Sequence, residues 1–395
     1  QPNPGNAVIN RFYTREFFQS LRNVVSEEGV VVITATGTPN NEQGDVGYFC
    51  STLYWTLRDV FPHVLVIPGT EWWFFASPQR DLLDDPQTVI EQFQRLHPET
   101  QGFSPEIFSM YYEKYRIQQV RDAFQENRNL PRNSDFQPLC YLHHLFLWSK
   151  QYGYWKGFST QWVTDSLWRW IGIGMGIGLL LILIISIPVR GRFPNKVKSK
   201  AIPLVSLFIA GFSSMAAELV ILLLFQSRVG YLYQHIGLFF GIFMLGLAWG
   251  TSVCNRCFLS RPVSAFPWLN RLILIFSLLF LISPWILSQI WIFGLTSIGV
   301  EILLLSWLMI LSFQMGMILP MVARVLEERG IDLATLAGWI DACDCAGGAW
   351  GALLTGLFLI PIMGLLPLFY GLSAFNGLSA LMLYIYFKNR VSVHP

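Results

Sequence analysis

From Leu167 to the end of the chain, apolar runs near twenty residues long recur with short polar breaks between them. Each is close to the ~20 residues that an α-helix needs to cross a bilayer, and a helix keeps its backbone groups satisfied there. The runs fall at about 167–189, 202–225, 235–254, 268–288, 297–322, 335–360 and 366–387, which predicts about seven spans. The fifth could extend back to Trp291, so the boundary between the fourth and fifth is the loosest. Charged residues make up only 13% of the chain, against about 25% in a soluble domain, which excludes a single water-soluble globule. The charge is also divided: residues 1–164 carry a net −4 and residues 165–395 a net +6, so two regions with different solvents are expected.

The basic residues orient the spans. Arg190, Arg192, Lys196, Lys198, Lys200, Arg256, Arg261, Arg271, Arg324, Arg329, Lys388 and Arg390 fall on one side, and only Arg169 and Arg228 on the other. That asymmetry places the basic loops and the C-terminus in the cytoplasm, and residues 1–164 on the outer face if the first span crosses. An overall charge of +2 with no basic stripe gives nothing to track phosphates, so no nucleic-acid partner is expected. Six cysteines are too few for a disulfide scaffold in a chain this long. The chain opens at Gln1 without a charged-then-apolar leader, which reads as a processed chain or the trailing part of a longer one.

Residues 1–77 have the pattern of an α/β unit. Phe17, Phe18, Leu21 and Val25 recur at helical spacing within a helix expected over 12–25. Val30 to Thr34, His63 to Ile67 and Trp72 to Ala76 read as strands, with a helix over 48–60 and a Pro68-Gly69 turn between the last two strands. Strands alternating with helices predict part of a mainly parallel, doubly wound sheet, with the remaining strands upstream or on another chain. Residues 78–164 read as a helical extension, with helices over 86–96 and 105–124, a loop over 129–138 and an aromatic, membrane-proximal stretch over 141–162.

Four acids lie at membrane depth: Glu218 in the second span, Glu301 near the start of the fifth, and Asp341 with Asp344 in the sixth. An ionised carboxylate there costs at least ~2.5 kcal/mol, so such a residue faces the protein interior and pairs or stays protonated. Two readings stand: a cation or proton site, or interhelical hydrogen bonding to Ser213, Ser214 or Gln314. Gly172, Gly174, Gly176 and Gly178, and Gly347 with Gly351, have the spacing of close helix packing. Cys254 and Cys257 form a lone pair of thiols without further zinc ligands, and Cys343 and Cys345 point apart on a helix. His143, His144 and His235 read as interfacial residues rather than ligands, and no metal site is predicted. No nucleophile elbow, Walker loop or zincin motif is present, which removes support for hydrolase and nucleotidase functions.

Gln1-Pro2-Asn3-Pro4, the run Asn10 to Phe18, Glu28-Gly29-Val30-Val31-Val32, Val60-Phe61-Pro62-His63-Val64 and Trp72 to Ser77 resemble the second half of a spermidine synthase. Asn133-Ser134-Asp135 with Pro138, the run Gly211 to Glu218, and Asp344 followed by Gly347, Gly351 and Leu359-Ile360-Pro361 are similar to the membrane-bound bacterial relatives of that enzyme. The resemblance covers most of the chain. It implies a partial Rossmann-like domain (1–77, with the extension 78–164) followed by an all-α transmembrane bundle (165–395) in a bacterial inner membrane.

In that family a glycine-rich loop holds decarboxylated S-adenosylmethionine, and an aspartate deprotonates the attacking amine. Neither element falls within this sequence. The family's Asp-Pro pair aligns with Asn3-Pro4, where an amide replaces a carboxylate and removes a base. The resemblance therefore implies a catalytically degenerate binding or accessory subunit, with aminopropyl transfer to a diamine only if an N-terminal half is supplied. No cofactor is expected in this chain; the decarboxylated donor enters only with a full synthase domain. Candidate residues are Asn3 and Tyr13 at motif positions, Glu71 and Asp135 for substrate, and the four intramembrane acids, which would also serve a polyamine or proton transporter. Expected partners are the lipid bilayer, a polyamine, and proteins of a membrane complex docked through Trp72, Trp73 and the aromatic stretch.

Overall fold

The computed structural model describes residues 3–5, 7–37, 44–96, 102–151, 195–229, 235–259, 264–292, 296–328, 330 and 333–391. The chain divides into two compact units, Gln1–Arg169 and Trp170–Pro395.

The first unit holds helix α1 (Arg15–Arg22), strand β1 (Val31–Thr36), α2 (Gly44–Arg58), β2 (His63–Ile67), β3 (Glu71–Ser77), α3 (Pro86–Leu96), α4 (Lys114–Glu126) and α5 (Leu139–Gln151). The β-branched run opening β1 favours extended backbone. Only Pro68, Gly69 and Thr70 join β2 to β3, and a link that short must return the chain antiparallel. The sheet order is β1-β3-β2, and β3 is antiparallel to both neighbours. This corrects the expected mainly parallel pairing. β1 and β2 do run in the same direction and are connected through α2, but β3 is inserted between them.

One face of this sheet is covered. Ile33, Ala35, Val66, Trp72, Phe74 and Ala76 pack with Phe49, Cys50, Leu53 and Leu57 of α2 and with Tyr13, Phe18 and Phe124. Each fully buried large apolar side chain contributes about 1.5–3 kcal/mol, so this cluster dominates the unit's stability. The other face is covered only beside β2, where Leu65 and Ile67 meet Ile117 of α4; Val32 and Trp73 stay 47% and 43% exposed.

Two helices are shorter than their periodicity suggests. The run 12–25 narrows to α1 because Thr14 caps it, its hydroxyl accepting from Phe17 N at 3.4 Å. The run 105–124 breaks at Tyr112, which leaves the helical conformation and packs beside the Leu65 and Ile67 cluster.

The second unit contains α6 (Asn195–Val229), α7 (Ile236–Cys254), α8 (Ala265–Ile292), α9 (Ser297–Glu327), α10 (Leu333–Leu354) and α11 (Leu365–Val391). A π-helical turn, Thr355–Leu359, continues α10. Among the described residues, six helices are long and apolar enough to cross a membrane. The span expected over 167–189, with its glycines, and aromatic residues 152–162 lie outside the described residues. Trp291 belongs to α8, so the fifth predicted span does not reach back to it. Thr296 caps α9 instead, accepting from Gly299 N at 3.3 Å.

Helix α6 packs on α9, α10 and α11, α7 on α9, and α8 on α9 and α11. Where α10 meets α6, Gly347 and Gly351 lie so near the carbonyls of Phe208 and Phe212 that a Cβ at either would collide with them. This is the close helix contact that the glycine spacing predicts.

Candidate functional site

In the first unit, the polar side chains singled out by the sequence gather at the carboxyl end of β1. Asn3 closes on Thr36 with both ends of its amide: Oδ1 accepts from Thr36 N at 3.2 Å, and Nδ2 donates to Thr36 Oγ1. Across the ladder, Thr36 is paired with Glu71, which is exposed. One step along β1, the Tyr13 hydroxyl donates to the carbonyl of Thr34 at 3.4 Å. Asn3 and Tyr13 thus both bond the last residues of β1, Tyr13 from the buried core, while Glu71 is opposite Thr36 in the ladder and exposed. In open α/β sheets, ligands bind outside the carboxyl ends of the strands.

Asp135 is not shown at that corner. Its backbone N–H donates to Glu16 Oε2 on α1 at 3.0 Å. The neighbouring Asn133 is fully buried and holds the unit together. Its Nδ2 donates to the carbonyl of Tyr13 at 2.9 Å, its Oδ1 accepts from Cys140 N at 3.1 Å, and its own N–H donates to Thr56 Oγ1 at 3.0 Å.

Trp72 and His143, read from the sequence as a docking residue and an interfacial residue, are both buried inside the first unit. The indole N–H of Trp72 is buried without a hydrogen-bond partner, and its ring fills the space where a Cβ on Gly37 would sit. Trp72 is therefore a core residue, which corrects its assignment to a docking surface; Trp73 keeps its exposure because it points to the opposite face. Asp45, in the first turn of α2, is also buried. His143 of α5 lies against Thr52 of the same helix α2, with Nε2 3.3 Å from Thr52 Oγ1 and Nδ1 unpartnered. His144 approaches Gly5. No local pattern announces these contacts, because each joins segments far apart in the chain.

The electrostatics favour holding over reacting. Burial pushes His143 down to about 4 despite the counteracting charge of Asp45, so the ring is neutral near pH 7. Burial also lowers His144 and raises the phenol of Tyr13 and the thiols of Cys50 and Cys140. Neither a phenolate nor a thiolate is available there as a nucleophile. Glu71 is exposed at the strand end, whereas Asp45 is buried in α2.

A larger groove, about 560 Å³, lies at the amino end of β2 between Arg58, His63, Asp81 and Arg121. It is open to solvent and some of its charges are already paired: His63 Nδ1 is 2.8 Å from Asp81, and Arg121 is 3.7 Å from Asp84. Asn3, Tyr13 and Glu71 are not among the residues that line it.

In the membrane unit the four acids have different surroundings. Glu301 pairs with His235, Oε1 to Nε2 at 3.4 Å, both about a quarter exposed. Asp341 is exposed on α10, while Asp344, one turn on, is half-buried against Gly211. Glu218 is buried on α6, and neither of its oxygens has a hydrogen-bond partner. The partners considered for it are occupied or unused. Ser213 receives Asn376 Nδ2 at 2.7 Å and donates to Ile209 O; Gln314 donates to Leu272 O at 2.9 Å; Ser214 is itself unpartnered. Among the described residues, no group of three or more His, Cys, Asp or Glu could hold a metal ion. The chain matches no protein-family model, no curated protein and no solved structure.

Proposed function

We propose that this membrane protein carries a spermidine synthase-like domain that binds a cationic amine and does not transfer an aminopropyl group. The observation that carries the reading is Asn3. At the position that the resemblance gives to a motif carboxylate, an amide is engaged by Thr36 at both ends, so it fixes the strand end and offers no base. The elements of such a domain are reduced here to a three-stranded sheet in which β1 and β2, joined through α2, run in the same direction on either side of β3. The exposed carboxylate of Glu71 supplies the negative charge that a polyamine would seek.

The domain serves a membrane assembly in this reading, with Val32 and Trp73, exposed on the open face of the sheet, as the docking region. The protein resides in a bacterial inner membrane. The order of the six described helices supports a cytoplasmic C-terminus, since it gathers the described basic residues Lys196, Lys198, Lys200, Arg256, Arg271, Arg324, Lys388 and Arg390 at one set of helix ends. With a crossing at 167–189, residues 1–164 lie on the outer face, away from a cytoplasmic nucleoside donor.

The test uses the full chain in detergent. Supplied with decarboxylated S-adenosylmethionine and a diamine, it should form no triamine product. Calorimetric titration with spermidine should give binding that weakens several-fold in Glu71→Gln. Product formation would overturn the degenerate reading, and spermidine binding unchanged in Glu71→Gln would overturn the assigned site.

A further inference from the structure

A separate observation in the membrane unit points to a second site. Serines in these helices usually return their proton to the preceding turn. Ser206, Ser213, Ser252 and Ser283 donate to the carbonyls of Ile202, Ile209, Ala248 and Leu279 at 2.8 to 3.0 Å. Ser214 and Thr355 are buried and unpartnered, and so are both oxygens of Glu218, which is 3% exposed. A buried polar group left this way costs about 1–3 kcal/mol, more if charged, so several together call for a ligand.

The register brings these groups to one level. Ser214 and Glu218 are four residues apart on α6 and share a face. Gly351 abuts the carbonyl of Phe212 and Gly356 reaches the side chain of Leu219, so the segment between those glycines, which contains Thr355, runs beside the part of α6 bearing Ser214 and Glu218. Thr355 opens the π-helical turn, a local widening of the helix that is frequent at functional sites.

We infer that the contact between α6 and the continuation of α10 binds one Na⁺ ion through the carboxylate of Glu218 and the hydroxyl oxygens of Ser214 and Thr355. All of these donors are oxygens, which suits a hard cation over a soft one. One carboxylate neutralises one monovalent ion, whereas a divalent ion would leave net charge in a low-dielectric surrounding. The glycine contacts keep the two backbones close beside this donor set. Asp344, half-buried beside Gly211, lies nearly two turns along α6 from Glu218 and under one turn from Ser214, and is not counted in this donor set. The site does not depend on the amine-binding reading of the first unit.

The test is carbodiimide labelling of the full chain in detergent, with the adduct located by mass spectrometry. Dicyclohexylcarbodiimide should modify Glu218 in choline chloride, NaCl at equal concentration should slow that modification several-fold, and KCl should not. In parallel, NaCl should raise the thermal midpoint of the unmodified protein, as any ligand of the folded state does. That rise should disappear in Glu218→Gln and shrink in Thr355→Val. Equal labelling in NaCl and choline chloride, or an undiminished Na⁺ shift in Glu218→Gln, would overturn the proposal.

Discussion

In the first unit, a buried polar side chain typically ties together segments distant in sequence. Asn133 joins Tyr13, Thr56 and Cys140, and Trp55 Nε1 reaches the carbonyl of Phe124 at 2.8 Å. In the membrane unit, many serines turn back on their own helices, and the interhelical ties include Trp307 to Ser283 at 3.0 Å, Ser277 with Ser373, Asn376 to Ser213, Gln314 to Leu272 O and Thr251 to Gly316 O. Against that background, unpartnered atoms stand out. In the first unit they are Trp72 Nε1 and His143 Nδ1; in the second they include both oxygens of Glu218 with Ser214 and Thr355. The two units therefore differ in how they are held, by polar stitching in one and by close backbone contact in the other.

That contrast breaks most readily in the membrane unit. Gly351→Leu would drive a side chain into the carbonyl of Phe212, at a cost of about 3 kcal/mol or more. It should abolish recovery of monodisperse protein by size exclusion, while Ala349→Leu on the exposed face of α10 should not.

The next effect lies in the first unit. Asn133→Ala leaves Tyr13 O and Cys140 N without their partner and should cost about 3 kcal/mol, read as loss of protease resistance in residues 3–151. Acid should act on the same unit through His143. Its folded value, about 4, lies below the ordinary 6.5, so the unfolded chain takes up the extra proton first. Stability should be fully present above about pH 6.5, fall as pH drops towards 4, and level off below that. His143→Gln should flatten this slope in acid titrations followed by tryptophan fluorescence.

Smaller changes sharpen the comparison. Thr14→Ala removes the cap of α1 and should cost about 1 kcal/mol, seen as faster amide exchange over 15–22. Glu301→Gln should cost about 0.5 kcal/mol or less, because its partnership with His235 is partly solvated. A thermal midpoint within error of the parent would agree with that.

Much of the architecture is legible in the residues. The bounds of β2 and α3 match their patterns to the residue, and six of the seven apolar runs correspond to described helices. The sheet direction was also readable, because the three residues after Ile67 cannot make a parallel crossover; alternation of strands and helices alone misleads. Sites were less legible. Asn3 and Glu71 are both placed at Thr36 only by long-range contacts, one by hydrogen bonds and one by the pairing of β1 with β3, and Trp73 and Trp72 differ in exposure through the strand's two-residue period. Glu218 was visible as an acid in an apolar run, but Thr355 was not, since its level beside Glu218 depends on the register of two helices.

Amide hydrogen exchange of the full chain, with and without spermidine, tests the amine-binding account most directly. Spermidine should slow exchange in peptides covering Thr34 to Gly37 and Glu71 to Trp73, and leave the groove at Arg58, His63 and Arg121 unchanged. Protection confined to that groove, or none in the first unit at saturating amine, would contradict it.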